Sequence, residues 1–304
     1  MALGDEASLD RYLISERLCI RCLPCRCRKA GGHTLSGQIH QRTFRSQLLD
    51  AELEILVYLP PGFSASDSWR YPTLYLQDGQ NVFDEKRAVF GIEWGVDEAA
   101  EKLILQGKIQ GIIVVAVANT PDRIELYTPF PDAGHGGGEG ELYREFFIHE
   151  LKPWVDQEYP TSPRAMDTAV AGSSLGGLCS LYLGWSRPEV FGKVAALSPS
   201  LWWADRGIID YIGGDEVANK HPVCIWIDMG YEESGVDENQ DGVPDIIDDL
   251  RALRAALLAK GFELEHSLFY REVRKAGHDE AAWAARIEDV LCALFPADRK
   301  WRSL

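Results

Sequence analysis

The chain has 304 residues, a formal net charge of −16 and 46% hydrophobic residues, which suits one large α/β domain and excludes a disordered chain. It contains no run of about 18 apolar residues, so no membrane-spanning helix is predicted. The acidic balance argues against a nucleic-acid partner, because phosphate binding needs a basic face.

Residues 1–35 show no regular pattern and are predicted to be a poorly ordered N-terminal extension, ahead of one catalytic-sized domain over residues 36–304. The extension contains four closely spaced cysteines, Cys19, Cys22, Cys25 and Cys27. Their spacing could ligate zinc or an iron–sulfur cluster but matches no standard pattern, so their role stays open. No apolar core of about 7–15 residues follows the basic residues, so no secretory signal is predicted and a cytoplasmic location is expected.

From residue 53 onwards, apolar runs of strand length alternate with longer stretches of helical period. The predicted strands are residues 53–59, 73–77, 112–118, 168–171, 194–197, 223–227 and 264–270. The predicted helices are residues 93–105, 139–159 with a kink at Pro153, 175–186, 250–260 and 281–294. This alternation favours the α/β class, with a mostly parallel central sheet and helices on both faces.

The segment 168–177 reads TAVAGSSLGG and contains a G-x-S-x-G motif at Gly172, Ser174 and Gly176, between a predicted strand and a predicted helix. This context is that of a nucleophile elbow, a turn so tight that its flanking positions need residues without bulky side chains. The turn places the central hydroxyl beside a helix N-terminus, which favours developing negative charge. Ser174 is therefore the predicted nucleophile.

A serine hydroxyl needs a base, and in folds with such an elbow the chain order is Ser, acid, His. His278 lies between the last predicted strand and the last predicted helix, in a loop that can reach Ser174, and is the predicted base. The acid is expected after the strand 223–227, because it must hold the imidazole tautomer. The main candidates are Glu233 and Asp228, followed by Glu232 and Asp237. The residues alone leave this choice open.

An oxyanion hole needs two N–H donors. The first is expected from the backbone of Leu175, directly after the nucleophile. The second is expected from the loop 78–81 after the strand 73–77, where the N–H of Gln80 is the candidate. The segment 135–138 (HGGG) imitates another oxyanion element, but it follows a later strand and is interpreted as a surface loop.

Five short segments form a combination of motifs: VYLPPG (57–62), LQDGQNVFD (76–84), AGSSLGG (171–177), LSPSLWW (197–203) and GHDEAAW (277–283). Together they resemble the putative esterase family of α/β-hydrolases, which includes enterochelin-esterase-like proteins, feruloyl and acetylxylan esterases and S-formylglutathione hydrolases. The resemblance runs from about residue 36 to residue 296. It implies an α/β-hydrolase fold with a Ser-His-acid triad that acts on carboxylic esters, but its motifs do not specify a substrate.

The resemblance also bears on the residues left open above. In relatives the acid often ends a G-x-x-D/E element, which here is residues 230–233 and favours Glu233. Trp202 and Trp203 would then wall the substrate pocket, although their position at a helix start also suits core packing.

The predicted function is a serine carboxylesterase for a small-molecule ester, without an organic cofactor. An acyltransferase that uses the same triad stays open as an alternative. A non-catalytic, calcium-dependent binding module on this fold is the second alternative. Nothing in the sequence indicates the oligomeric state.

An acidic segment soon after Glu233 departs from the family pattern. Residues 237–248 read DENQDGVPDIID and resemble the calcium loops of dockerins and thrombospondin type 3 repeats. The predicted Ca²⁺ ligands are Asp237, Asn239, Asp241, the Val243 carbonyl, Asp245 and Asp248. Carboxylates at this density repel one another unless a cation neutralises them, so bound Ca²⁺ is expected, with a solvated acidic loop as the alternative. Calcium binding favours an extracytoplasmic location, which conflicts with the cytoplasmic location expected from the lack of a predicted secretory signal.

Overall fold

The computed structural model describes residues 35–66, 68–214 and 224–297. The predicted extension, apart from residue 35, and its four cysteines lie outside the described residues. Within the described ranges, eight strands form one sheet. The strands are β1 (Gln38–Ser46), β2 (Ala51–Leu59), β3 (Thr73–Leu76), β4 (Ile113–Val117), β5 (Thr168–Ser173), β6 (Lys193–Leu197), β7 (Cys224–Gly230) and β8 (Leu268–Val273).

The sheet has the order β1-β2-β4-β3-β5-β6-β7-β8. β2 runs antiparallel to both β1 and β4, and the remaining neighbours are parallel. The predicted mostly parallel sheet is therefore confirmed. Only β1 lacks a counterpart among the predicted strands, because much of this edge strand is exposed and its apolar signal is weak.

Helices cover both faces of the sheet. They are α1 (Val96–Leu105), α2 (Arg123–Tyr127), α3 (Gly140–Phe146), α4 (Lys152–Glu158), α5 (Leu175–Ser186), α6 (Trp203–Gly214), α7 (Asp245–Ala259), α8 (Glu280–Ala284) and α9 (Ile287–Leu294). Two buried clusters lie on opposite faces of the sheet, one beneath α2 to α7 and the other beneath α1, α8 and α9. Neighbouring residues of a strand alternate between them, as Val114 and Val115 do.

Some helix bounds differ from the prediction. The predicted helix 139–159 is interrupted by a π-helical turn, Phe147–Leu151, ahead of Pro153. Pro153 itself lies in the first turn of α4, where its missing N–H is tolerated. In the described part of the chain, no helix is long and apolar enough to cross a bilayer.

Candidate active site

The carboxyl ends of the parallel strands meet at one edge of the sheet, and the loops beyond them carry the predicted catalytic residues. Gln80 follows β3, Ser174 follows β5, Glu233 follows β7 and His278 follows β8. Open α/β sheets bind ligands at this edge. The topology therefore gathers residues that lie far apart along the chain.

Ser174 lies in a tight turn between β5 and α5, with φ 55° and ψ −124°, a conformation that residues with side chains rarely adopt. A Cβ atom added at Gly172 would lie 2.6 Å from the carbonyl carbon and oxygen of Gly176. Strand and helix can therefore approach this closely only because Gly172 has no side chain. The turn has the geometry that the G-x-S-x-G motif predicts.

A continuous chain of hydrogen bonds joins three of the predicted residues. The Nε2 atom of His278 lies 3.0 Å from the Ser174 hydroxyl oxygen, and Nδ1 lies 2.8 Å from a carboxylate oxygen of Glu233. A carboxylate only accepts hydrogen bonds, so Nδ1 carries the proton and the lone pair of Nε2 faces the hydroxyl. The Glu233 side chain is 3% exposed, whereas that of His278 is 39% exposed. The arrangement can remove a proton from the serine hydroxyl.

Asp228, the other main candidate for the acid, has different partners. Its fully buried carboxylate accepts hydrogen bonds from the Ser198 backbone N–H and the Trp226 indole, and it pairs with Arg286. Burial raises the pKa of Asp228, and the positive charge of Arg286 opposes this rise. The carboxylate of Asp228 thus has its hydrogen bonds and its ion pair in the interior of the protein.

The two predicted oxyanion donors belong to neighbouring turns. Leu175 is the first residue of α5, where helix geometry leaves the backbone N–H without an intrahelical acceptor. Gln80 lies in a single 3-10 turn directly after β3. The start of α5 lies close to the segment that leads into the Gln80 turn, since a Cβ atom added at Gly176 would lie 3.0 Å from Gln77 and 3.2 Å from Asp78. Donation to an oxyanion stays a prediction for both residues.

A buried ion pair that the sequence analysis missed anchors the Gln80 turn. The carboxylate of Asp78, 5% exposed, accepts two hydrogen bonds of 2.7 Å from Arg123 and one of 2.7 Å from Asn119. Two parallel hydrogen bonds from a guanidinium fix the orientation of the carboxylate and stabilise its negative charge. Asp78 lies within the LQDGQNVFD motif, but Arg123, 45 positions later, has no motif that would identify it.

The two predicted pocket tryptophans have unlike surroundings. Trp203 is 2% exposed and donates its indole N–H to a backbone carbonyl at 2.7 Å, so it packs in the core. Trp202 is 46% exposed, and its ring lies 5.3 Å from that of His135 in the HGGG segment. The hydroxyl of Ser200, two residues earlier, lies 3.4 Å from that of Ser174. Trp202 therefore has surface available to a ligand, two residues along the chain from Ser200, whereas Trp203 has almost none.

The acidic loop after β7 contains the predicted calcium ligands, and its side chains bond to its own backbone. Asp237 accepts the N–H of Gly242 at 2.9 Å, and Asn239 accepts the N–H of Asp241 at 2.9 Å. Asp241 in turn accepts the N–H of Val243 at 2.8 Å. The side-chain oxygens are therefore already used to shape the turn.

The other two predicted ligands, Asp245 and Asp248, lie in the first turn of α7, where negative charge complements the helix dipole. Among the described residues, one set of three acidic groups comes within 4.8 Å of one another, and it consists of Glu93, Asp97 and Glu98. That set lies outside the loop. No three carboxylates of the described loop converge to that distance, so calcium binding stays a prediction.

The sheet order, the elbow turn and the two helical layers define an α/β-hydrolase. The family described as "Putative esterase" matches residues 46–294, and the chain therefore belongs to that family. Its enzyme class is that of the carboxylic ester hydrolases.

Individual relatives show how far the similarity extends. The iron(III) enterobactin esterase of Escherichia coli O6:H1 (strain CFT073) is 34% identical over 184 residues, 58% of this chain and 42% of that protein. A ferulic acid esterase structure matches 86% of this chain and 99% of its own, with a TM-score of 0.65 and 19% identity. The enterobactin esterase of Shigella flexneri, crystallised in the presence of enterobactin, matches 84% of this chain and 58% of its own, with a TM-score of 0.67 and 24% identity. At these identities the structural matches show the fold alone.

Proposed function

We propose that the chain is a serine carboxylesterase that hydrolyses small-molecule carboxylic esters through an acyl-enzyme on Ser174. The observation that carries this proposal is the hydrogen-bonded chain from Ser174 to His278 at 3.0 Å and from His278 to Glu233 at 2.8 Å. Each contact has the direction that nucleophilic catalysis requires.

In the first half of the reaction, the Ser174 oxygen attacks the ester carbonyl and its proton passes to Nε2 of His278. Glu233 accepts the hydrogen bond from Nδ1–H throughout and stabilises the imidazolium without taking up its proton. The N–H groups of Leu175 and Gln80 hold the oxyanion, and one such donor typically contributes about 10²- to 10³-fold in rate. Collapse of the tetrahedral species breaks the ester C–O bond, and His278 returns the proton to the leaving alcohol.

In the second half, water replaces the alcohol. The water oxygen attacks the acyl carbon while Nε2 of His278 takes a proton from the water. His278 then returns this proton to the Ser174 oxygen as the carboxylic acid leaves. An acyltransferase would differ only in the acceptor that attacks the acyl-enzyme. Product analysis with competing alcohols distinguishes the two reactions, because transfer yields a new ester.

For the substrate, we propose an ester whose acyl group lies against Trp202. The half-exposed ring offers a flat apolar surface beside the nucleophile. The names of the relatives point to siderophore and ferulate esters as the first compounds to compare. A panel of short-acyl, feruloyl, acetyl-sugar and siderophore esters would rank these classes by kcat/KM.

The substitution Ser174→Ala tests the mechanism. Hydrolysis of p-nitrophenyl butyrate is expected to fall by about 10⁴-fold or more, and labelling by a fluorophosphonate is expected to disappear. Ser180→Ala is the matched control, since it removes a buried hydroxyl bonded to the Gly176 carbonyl in the same helix and should retain activity. Turnover by Ser174→Ala at the wild-type rate would exclude the mechanism.

A further inference from the structure

A serine outside the triad contacts the carboxylate of Glu233. Ser198 directly follows β6, and its hydroxyl oxygen lies 2.6 Å from Oε1 of Glu233. The same oxygen lies 3.0 Å from the indole nitrogen of Trp283 and 3.1 Å from Nη2 of Arg286. Three side chains therefore meet at the Ser198 hydroxyl in the interior of the protein.

The chemistry of these groups fixes the direction of every bond. An indole N–H and a guanidinium can only donate, and a hydroxyl oxygen has two lone pairs and one proton. Trp283 and Arg286 occupy the two lone pairs of Ser198. Its single proton must therefore go to Glu233, and the 2.6 Å distance is that of a charge-assisted O–H···O⁻ bond.

The bond from Ser198 also holds the Glu233 carboxylate in an orientation that points one of its oxygens at the histidine. Oε1 accepts from Ser198 and from the backbone N–H of Gly230, whereas Oε2 accepts from Nδ1 of His278. The carboxylate is thus held at one end by two donors from the sheet edge. Its rotation about the side chain would break both bonds, so Oε2 stays aimed at the imidazole.

Arg286 in turn forms an ion pair with Asp228. Its Nη1 lies 3.3 Å from the buried carboxylate of Asp228, which also accepts the backbone N–H of Ser198 at 3.1 Å. The Arg286 side chain is 7% exposed. The ion pair with Asp228 therefore helps to keep Arg286 directed at Ser198.

The backbone at Ser198 is strained, with φ 44°. Residues with a side chain adopt this region at a cost that the surrounding structure must offset. Glycine would adopt it freely but would lack the hydroxyl. Strain at a residue whose side chain contacts the triad acid is typical of functional sites.

We propose that Ser198 is a positioning residue for the ester hydrolysis proposed above. Its hydroxyl, oriented by Trp283 and Arg286, holds Glu233 so that Oε2 faces Nδ1 of His278. The inference rests on the proposed function, because positioning matters only if Ser174 is activated by His278.

The test compares Ser198→Ala and Ser198→Gly with the wild-type protein. Both variants lose the hydroxyl, but the glycine variant also relieves the backbone strain. The matched control is Ser162→Ala. It removes another buried hydroxyl that donates to a carboxylate, that of Asp167 at 2.7 Å, near the start of β5 and so at the edge of the sheet opposite the candidate site. The measurements are kcat and KM on p-nitrophenyl butyrate, and the low-field proton resonance of His278 Nδ1–H in the resting protein.

Both Ser198 variants are expected to lose about 10- to 100-fold in kcat with KM within about twofold of wild type. Their Nδ1–H resonance is expected to broaden or move upfield, whereas Ser162→Ala keeps the wild-type rate and resonance. Wild-type kcat in both Ser198 variants would overturn the proposal. Full activity in Ser198→Gly alone would overturn it too, since backbone conformation rather than the hydroxyl would then explain the loss in Ser198→Ala.

Failure of the proposed function gives a different result. Wild-type protein that neither hydrolyses esters nor reacts with a fluorophosphonate would contradict the esterase mechanism. The resonance of His278 Nδ1–H needs no substrate, so it still reports whether Ser198 orients Glu233.

Discussion

Glu233 and Asp228 belong to the same strand end, but their carboxylates have unlike environments. Glu233 reaches the imidazole of His278, whereas Asp228 is enclosed beside Arg286. The first contact is one that the proposed proton transfer would use, and the second pairs a buried carboxylate with a buried guanidinium. Substitution of the two residues should therefore affect different properties of the protein.

Glu233→Gln is expected to lower kcat by about 10³-fold or more without a comparable loss of stability, because the amide no longer stabilises the imidazolium. Asp228→Asn is expected to lower the free energy of unfolding by about 3 kcal/mol, since it leaves the Arg286 charge buried without its counter-ion. Steady-state kinetics and urea denaturation of both variants provide the check. A large rate loss confined to Asp228→Asn would assign the acid to Asp228 instead.

At the scale of elements, an ionic network ties α7 and the loop after β7 to the edge strand β8. Arg251 of α7 donates to Glu272 at 2.9 Å, and the hydroxyls of Tyr231 and Tyr270 donate to the same carboxylate at 2.6 Å each. The hydrogen bonds from Arg251 and the tyrosines lower the pKa of Glu272 to about 2, against the opposing effect of burial.

This network predicts a pH-dependent contribution to stability. A carboxyl with a lowered pKa in the folded state stabilises the fold above its ordinary pKa of 4.5, and the stabilisation is lost as the pH falls towards about 2. The difference in melting temperature between wild type and Glu272→Gln should therefore be largest above about pH 5 and shrink towards pH 2.

Glu265→Gln serves as the control for this prediction, because Glu265 pairs with Arg271 at a more exposed position, with its side chain 61% accessible. Its effect should be smaller, since exposed pairs contribute little. A Glu272→Gln difference that is the same at every pH would show that packing, not charge, connects these elements.

Element bounds could be predicted best where the local signals agree. The predicted helix 175–186 coincides with α5, because an elbow motif fixes where it begins. The helix predicted over 250–260 begins instead at Asp245. Pro244 followed by acidic residues is a helix-start pattern, and the same acidic residues fit the second half of a calcium loop. Two patterns compete there, and sequence alone does not decide between them.

At the scale of the whole molecule, the acidic residues between positions 228 and 249 supply more than half of the net charge of −16. The fold divides them into two groups. Four have ion-pair partners outside the segment, in the pairs Asp228–Arg286, Glu233–His278, Asp248–Arg251 and Asp249–Arg206. The others lie on or next to the loop, where backbone N–H groups of the loop, solvent and the dipole of α7 oppose their mutual repulsion.

Calcium at this loop would stabilise the whole protein by binding the folded state. We expect EDTA to lower the melting temperature, and Ca²⁺ but not Mg²⁺ to restore it, because a flexible loop of oxygen ligands suits the larger ion. Asp237→Asn should weaken the response to Ca²⁺. An identical melting curve with and without EDTA would favour the solvated loop.

The candidate site illustrates how far local sequence signals extend. Ser174 and His278 could be predicted because each follows a strand in a recognisable motif, whereas Glu233 is favoured over Asp228 only by the family resemblance. Ser198 and Arg123 could not be predicted, although both contact this edge of the sheet. Their roles depend on side chains 88 and 45 positions away, and only packing of the whole chain brings those partners together.

The positive φ angle at Ser174 limits which substitutions can stabilise this protein without loss of activity. The conformation costs about 1–3 kcal/mol, and the Ser174 side chain forms no capping bond with α5 that would offset it. Glycine would relieve the cost and remove the proposed nucleophile in one step. The most stable sequence for this fold and the most active one are therefore different sequences, and selection for heat resistance alone would drive the chain towards an inactive relative.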